Sequence, residues 1–195
     1  MDIFEEALSF ANERHSGQTR KLSTLPYILH PMEVATIAAT MTQDREVLAA
    51  ALLHDTVEDT DTTLEEIRER FGRRVSLLVM TETEEKRPDR PAADTWELRK
   101  EETLMILENT KDVGVKMLWM SDKLANMRSF ARMYRRKGDA LWQDFNQKDP
   151  DRQAWYYRRI AAYLRDLRDT DAYREYISLV NEVFEHHNGG ENNEI

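Results

Sequence analysis

Residues Arg45 to Thr60 read REVLAAALLHDTVEDT. From Val47 to Leu53 the stretch is apolar on every side, and at His54 it turns abruptly polar. A helix that is apolar all round belongs in the middle of a core. The pattern therefore predicts a central helix from Arg45 to about Val57, with charged groups gathered at one end. Burying charge is costly unless it is paired, so His54, Asp55, Glu58 and Asp59 need partners there.

Outward from this stretch the spacing of apolar residues stays helical almost throughout. Ile3, Phe4, Ala7, Leu8 and Ala11 mark one face of a first helix, and a loop follows from Ser16 to about His30. Pro31 stands where helices often begin, and Met32 to Met41 continue that helix. Thr63 and Glu66 have capping-box spacing, Gly72 is a stop, and a second short helix is expected over Arg73–Met80. Glu82–Ala93 is charged, contains Pro88 and Pro91, and reads as a surface loop. Asp94 and Glu97 repeat the cap signature before a helix towards Asn109. Val113–Met120 leads into SDKLANMRSF, read as helix, and two more helices are expected at about Asp151–Leu167 and Ala172–Phe184. Hairpin signals, internal repeats and low-complexity blocks are absent from the sequence. The expectation is an all-α domain over residues 1–187 with a disordered tail over 188–195.

The 195 residues suit one domain with a sizeable core. No apolar run is long enough to cross a membrane. The N-terminus MDIFEEALSF is acidic where a secretory signal would be basic. There is no Cys, which excludes disulfides and thiolate metal sites and fits a cytoplasmic protein. Lys and Arg total 28 against 37 Asp and Glu, a net charge of −9. Such a chain is a poor generic nucleic-acid binder. A polyanionic ligand would need a local basic cluster or a metal.

His54 and Glu58 stand four residues apart, and Asp55 stands three and four before Glu58 and Asp59. On one helix these spacings share a face. An imidazole and a carboxylate side by side can both reach one metal ion, and the next turn can present further carboxylates. Two candidates elsewhere could complete the set. His30 lies in Tyr27-Ile28-Leu29-His30-Pro31, and Asp122 follows the apolar run ending at Met120. His30, His54, Asp55 and Asp122 supply two nitrogens, two oxygens and no sulfur. That donor set suits Mn²⁺, Fe²⁺ or Zn²⁺, and a divalent ion could activate water. Each residue also has a bland reading. A His-Asp pair arises by chance, a His before Pro can be a loop or cap residue, and Asp122 beside Lys123 can be an ordinary helix start.

The ordered combination is more specific. His15-Ser16-Gly17-Gln18-Thr19-Arg20-Lys21, then Pro26-Tyr27-Ile28-Leu29-His30-Pro31, then Leu53-His54-Asp55-Thr56-Val57-Glu58-Asp59-Thr60, then Asp122-Lys123-Leu124-Ala125-Asn126-Met127-Arg128 resemble the HD-domain hydrolases of the RelA/SpoT type. The likeness is strongest to the stand-alone small alarmone hydrolases and spans roughly residues 1–185. It implies a bundle of about ten helices, with one metal, usually Mn²⁺, held by His30, His54, Asp55 and Asp122. Glu58 and Asp59 match the acidic pair that positions or activates the attacking water. The implied reaction removes the 3′-pyrophosphate of guanosine tetra- or pentaphosphate, giving GDP or GTP and pyrophosphate. Arg20 and Lys21 match nucleotide contacts and Asn126 a sugar contact. Tyr156 falls in the nucleobase region and Arg152 nearer the phosphates.

The loop Leu22-Ser23-Thr24-Leu25 departs from the family in lacking a Gly often found there. The cations Lys86, Arg87, Arg99 and Lys100 could form a phosphate-binding lip or an ordinary solvated face. Trp142, Phe145 and Trp155 read as packing residues. The sequence has no room for a synthetase domain, so the resemblance implies a protein that degrades the alarmone and does not make it. The expected partner is a small-molecule nucleotide, with no nucleic acid and no membrane; the oligomeric state is left open. Two alternatives stay open. The substrate could be another phosphorylated nucleotide, such as a nicotinamide dinucleotide phosphate, or the chain could be a metal- and nucleotide-binding module without turnover.

Overall fold

The structure is a computed structural model, and it describes residues 2–20, 23–87 and 89–187. The expected tail over 188–195 lies outside these residues. Nine α-helices are present among them: α1 Ile3–Arg14, α2 Leu29–Ala38, α3 Arg45–Leu53, α4 Thr56–Asp59, α5 Leu64–Glu82, α6 Trp96–Asn109, α7 Val113–Lys137, α8 Pro150–Tyr163 and α9 Asp171–Phe184. Two short 3₁₀ turns, Gly138–Asp144 and Arg165–Leu167, complete the set. Extended pairing among the described residues is confined to one isolated bridge between Thr19 and Pro26. The fold is all-α, as expected.

The chain forms two compact units that interleave along the sequence. Of the described residues, the first takes those up to 84 and those from 111 to 125, the second those from 85 to 110 and from 126 to 187. α7 begins in the first and ends in the second.

In the first unit α3 is central. Every residue from Val47 to Leu53 is buried, and α3 packs against α1, α2 and α5. The run Ala49-Ala50-Ala51, fully buried, keeps side-chain bulk off the helix surface, which sets how closely neighbouring helices approach. Asp44 caps α3 by accepting from the Glu46 N–H. Gly114 brings the start of α7 close to α3. A Cβ added there would lie 3.0 Å from both Val47 Cγ2 and Asp112 Oδ1.

The expected stop at Gly72 is a kink inside α5, where Gly72 takes φ 88° and ψ 167°. Counting α5 as two segments gives ten helical segments among the described residues. This backbone region is essentially reserved for glycine and costs other residues of order 1–3 kcal/mol. A Cβ at Gly72 would meet nothing within 4 Å, so conformation alone sets the penalty. Gly72→Ala should therefore destabilise the protein by about 1–3 kcal/mol. Urea denaturation checks this, and a midpoint equal to wild type would refute it.

Three boundaries differ from the sequence reading. α2 starts at Leu29, two residues before Pro31, so His30 sits in its first turn. α3 ends at Leu53 rather than near Val57. α6 begins after Thr95 with no side-chain cap, so Asp94 does not cap it. Elsewhere the Thr63 hydroxyl accepts the Glu66 N–H, as its spacing suggested.

In the second unit α8 packs against α6 and α9. Phe130 stacks on Phe145, and Trp142 stacks on Phe184, which gives Trp142 and Phe145 the packing role expected of them. The buried Tyr173 and Tyr176 hydroxyls donate to the Ala161 and Tyr157 carbonyls of α8, meeting the hydrogen-bond need of a buried phenol. Arg128 and Arg135, one heptad apart on α7, make forked contacts with Glu175 and Glu182 on α9. No helix of the described residues is long and apolar enough to cross a membrane.

Candidate metal centre

The end of α3 explains how the site is built. A helix continuing past Leu53 would give the Ala51 and Leu53 carbonyls to the N–H groups of Asp55 and Val57. Side chains claim them instead. His54 Nδ1 lies 2.9 Å from the Ala51 carbonyl, and Thr56 Oγ1 donates to the Leu53 carbonyl at 2.6 Å. Such side-chain competition favours helix ends. His54 and Asp55 thus form a turn between α3 and α4. Their backbone stays near helical, so Glu58 and Asp59 still follow one turn later.

A carbonyl only accepts, so His54 Nδ1 carries a proton and Nε2 is turned into the site. Four donor atoms meet there. His30 Nε2 lies 3.0 Å from Asp122 Oδ1 and 3.4 Å from Asp55 Oδ2. His54 Nε2 lies 3.1 Å from Asp55 Oδ2 and 3.5 Å from Asp122 Oδ1. Ligands about 2.0–2.2 Å from one ion in tetrahedral or octahedral array stand roughly 2.8–3.6 Å apart, so these spacings fit a metal. Of the four, His30, His54 and Asp122 offer ligand atoms that all lie within 4.8 Å of one another, while Asp55 joins them through its approach to the two imidazoles. His54 Nε2 is buried, and although it lies close to the Asp55 and Asp122 oxygens it meets neither in hydrogen-bond geometry; a bound ion among these atoms would satisfy it.

The electrostatics point the same way. Burial alone would keep His54 neutral, but the Asp55 and Asp122 carboxylates outweigh it and lift its pKa well above the ordinary imidazole value. Burial would raise Asp55, but His54 and then His30 hold it low. Burial would likewise raise Asp122, and Lys123 with the two imidazoles holds it low. Negative charge that attracts a proton to His54 would equally attract a cation.

Asp122 is buried on α7. Its Oδ2 accepts from Lys123 Nζ at 2.6 Å, leaving Oδ1 to face the imidazoles. Lys123 Nζ also reaches Glu82 Oε2 at 3.0 Å and lies 4.6 Å from the centre of the Trp119 ring. Burial pushes Glu82 up to about 7, against the pull of Lys123.

Beside this centre stands Tyr27, which sequence reasoning did not single out. Its hydroxyl donates to Asp55 Oδ2 at 2.7 Å and to Asp59 Oδ2 at 3.1 Å. Burial first, then the charges of Asp55 and Asp59, push this phenol far above its ordinary range, so it stays a donor. Asp59 is thereby tied to the centre. Glu58, half-buried on α4, accepts the Glu84 N–H at 3.2 Å.

Arg20 also belongs to the first unit, its guanidinium 5.6 Å from the centre of the Tyr27 ring. Lys21 lies outside the described residues. Asn126 follows Asp122 by four residues on α7. In the second unit Arg152 is exposed in the first turn of α8 and pairs with Glu97. Tyr156 is buried beside Trp96 and Tyr157, and Lys100 Nζ lies 4.8 Å from its ring centre. Arg87 donates to Glu102 at 2.6 Å, so that part of the proposed cationic lip already has a counter-charge.

An all-α fold that turns from the buried α3 into His54 and Asp55, and brings His30 and Asp122 to that turn, presents a candidate metal site on a helical scaffold. The chain belongs to the HD domain family, whose model matches residues 7–150. It is 43% identical over 125 residues to a guanosine-3′,5′-bis(diphosphate) 3′-pyrophosphohydrolase of Aquifex aeolicus, covering 64% of this chain and 17% of that protein. It thus spans less than a fifth of the length of this relative. Among solved structures it is similar to a metazoan ortholog of SpoT that hydrolyzes ppGpp and plays a role in starvation responses. That likeness has a TM-score of 0.69 and 27% identity, covering 95% of this chain and 96% of the other. A solved protein of Listeria monocytogenes EGD-e matches with TM-score 0.69 and 32% identity, covering 80% of this chain and 99% of the other.

Proposed function

We propose that the chain is a cytoplasmic, metal-dependent pyrophosphohydrolase that removes the 3′-pyrophosphate of guanosine tetra- and pentaphosphate. The observation that carries this reading is the ring of alternating nitrogen and oxygen donors, spaced 3.0–3.5 Å apart, with a carboxylate pair following one turn on. The names of its relatives supply the substrate class.

His30, His54, Asp55 and Asp122 would hold one divalent ion, and their mixed nitrogen and oxygen set suits Mn²⁺. When bound, the ion supplies positive charge for a phosphate oxygen and acidifies water. The rest falls to the protein. Glu58 and Asp59 hold the attacking water and accept its proton as its oxygen bonds to phosphorus. The bond from that phosphorus to the ribose 3′-oxygen breaks, and the 3′-oxygen takes up a proton to become the hydroxyl of GDP or GTP. Arg20, lying over Tyr27, is a candidate nucleotide contact, since a guanidinium can stack on a base or donate to phosphate. Lys21, Asn126, Arg152 and Tyr156 are proposed as further substrate contacts on the family resemblance alone.

The test incubates metal-stripped protein with guanosine tetraphosphate, with and without Mn²⁺, and follows pyrophosphate release. Mn²⁺-dependent release of equal amounts of pyrophosphate and GDP is expected. Protein that binds Mn²⁺ but releases no pyrophosphate would overturn the substrate assignment.

A further inference from the structure

We infer that Tyr27 is a positioning residue of the metal centre, its one hydroxyl clamping the ligand carboxylate of Asp55 to the water-handling carboxylate of Asp59. This deepens the proposed function and rests on it for the role of Asp59 alone. The clamp on Asp55 stands on the geometry of the centre.

A phenol has one proton to donate. Here it faces two acceptors, Asp55 Oδ2 at 2.7 Å and Asp59 Oδ2 at 3.1 Å. Asp55 Oδ2 is also the oxygen that approaches His54 Nε2 and His30 Nε2. The hydrogen bond therefore falls on the oxygen that faces the ion site. It restrains rotation of that carboxylate and draws charge from the donor atom. Partners of this kind orient metal ligands and tune the ion they hold.

The tyrosine is itself fixed from several sides. Its backbone N–H donates to the Gln18 carbonyl at 3.0 Å. Its ring lies 4.8 Å from the His15 ring and 6.0 Å from the His30 ring, centre to centre. His15 Nδ1 lies 2.9 Å from Gln18 Oε1, and Gln18 Nε2 donates to the Asp59 backbone carbonyl at 2.8 Å. The loop between α1 and α2 thus grips Asp59 twice, at its backbone through Gln18 and at its side chain through Tyr27. A clamp on a mobile side chain could not fix two carboxylates; this one is braced along its length.

Tyr27→Phe keeps the ring and deletes the hydroxyl, which separates positioning from packing. Co²⁺ is titrated into the full metal-stripped chain, wild type and variant, and its visible d–d absorption gives both affinity and ligand geometry. The variant should bind Co²⁺ roughly 10-fold more weakly or worse, with a displaced absorption band. Its turnover of guanosine tetraphosphate should show kcat down by about 10- to 100-fold and KM unchanged. Tyr27→Leu, which loses the ring as well, serves as the packing control and is compared by its metal-free melting temperature. Tyr27→Phe protein with wild-type Co²⁺ affinity and an unchanged band would overturn the inference. If wild-type protein turns over no guanosine tetraphosphate, the proposed substrate fails, while the Co²⁺ titration still decides the role of Tyr27.

Discussion

His54→Ala should lose metal binding and, with it, all metal-dependent turnover. The imidazole is buried, oriented by the Ala51 carbonyl, and within 3.1–3.5 Å of the Asp55 and Asp122 carboxylates. Loss of an outer partner of a metal ligand costs 10- to 100-fold in affinity, so loss of a ligand should cost at least about 100-fold. Thermal melts read this directly. Mn²⁺ at 100 times the wild-type Kd stabilises the wild-type fold by about 2.7 kcal/mol. At the same concentration a variant 100-fold weaker gains only about 0.4 kcal/mol. The Mn²⁺-induced rise in Tm should therefore nearly vanish. A variant that keeps the wild-type rise would remove His54 from the site and leave the donor ring without its support.

The same residues show what could be read in the chain and what could not. The core was legible because Val47–Leu53 admits one environment, and α3 is buried accordingly. The break at Gly72 was legible because glycine there does what other residues do poorly. His54 and Asp55 were legible as a pair, but the helix end that displays them was not. It depends on two side chains capturing carbonyls, and the apolar pattern carries no trace of that. Tyr27 escaped for a different reason. Its acceptors are 28 and 32 residues away in sequence, and an isolated tyrosine in a loop looks like any other. Glu82 and Lys123 pair across 41 residues and were equally hidden. The reading of Asp94 as a cap failed because spacing alone cannot say whether the side chain turns back on the helix, and α6 starts from Thr95 without that bond. The candidate donor groups were thus visible in the sequence, while the contacts among them arose from tertiary packing. Arg152 makes the point from the other side, since the charge expected near phosphates pairs with Glu97 within its own unit.

Glu58→Gln should separate an enzyme from a binding module. Glu58 is outside the donor ring, so its loss should leave the Mn²⁺-induced rise in Tm near the wild-type value. The substitution is close to isosteric, and the Gln side-chain oxygen can still accept the Glu84 N–H that Glu58 Oε2 now accepts. What disappears is the negative charge and the ability to take a proton from water. Positioned general bases contribute typically 10²- to 10⁴-fold, so kcat should fall by about that factor with KM little changed. Asp59→Asn gives the contrast, because Asp59 shares the Tyr27 hydroxyl with a ligand carboxylate. Its replacement should lower kcat and also disturb the metal, visible as a changed Co²⁺ spectrum. If both variants lose turnover but only Asp59→Asn alters the ion, Glu58 is the residue that handles the water's proton. Asp59 then holds the geometry in which it does so. If neither variant changes turnover, the carboxylate pair has no part in chemistry. The water's proton then goes to another acceptor, and a centre that binds metal and nucleotide without reacting is shown instead by wild-type protein that takes up both and releases no pyrophosphate.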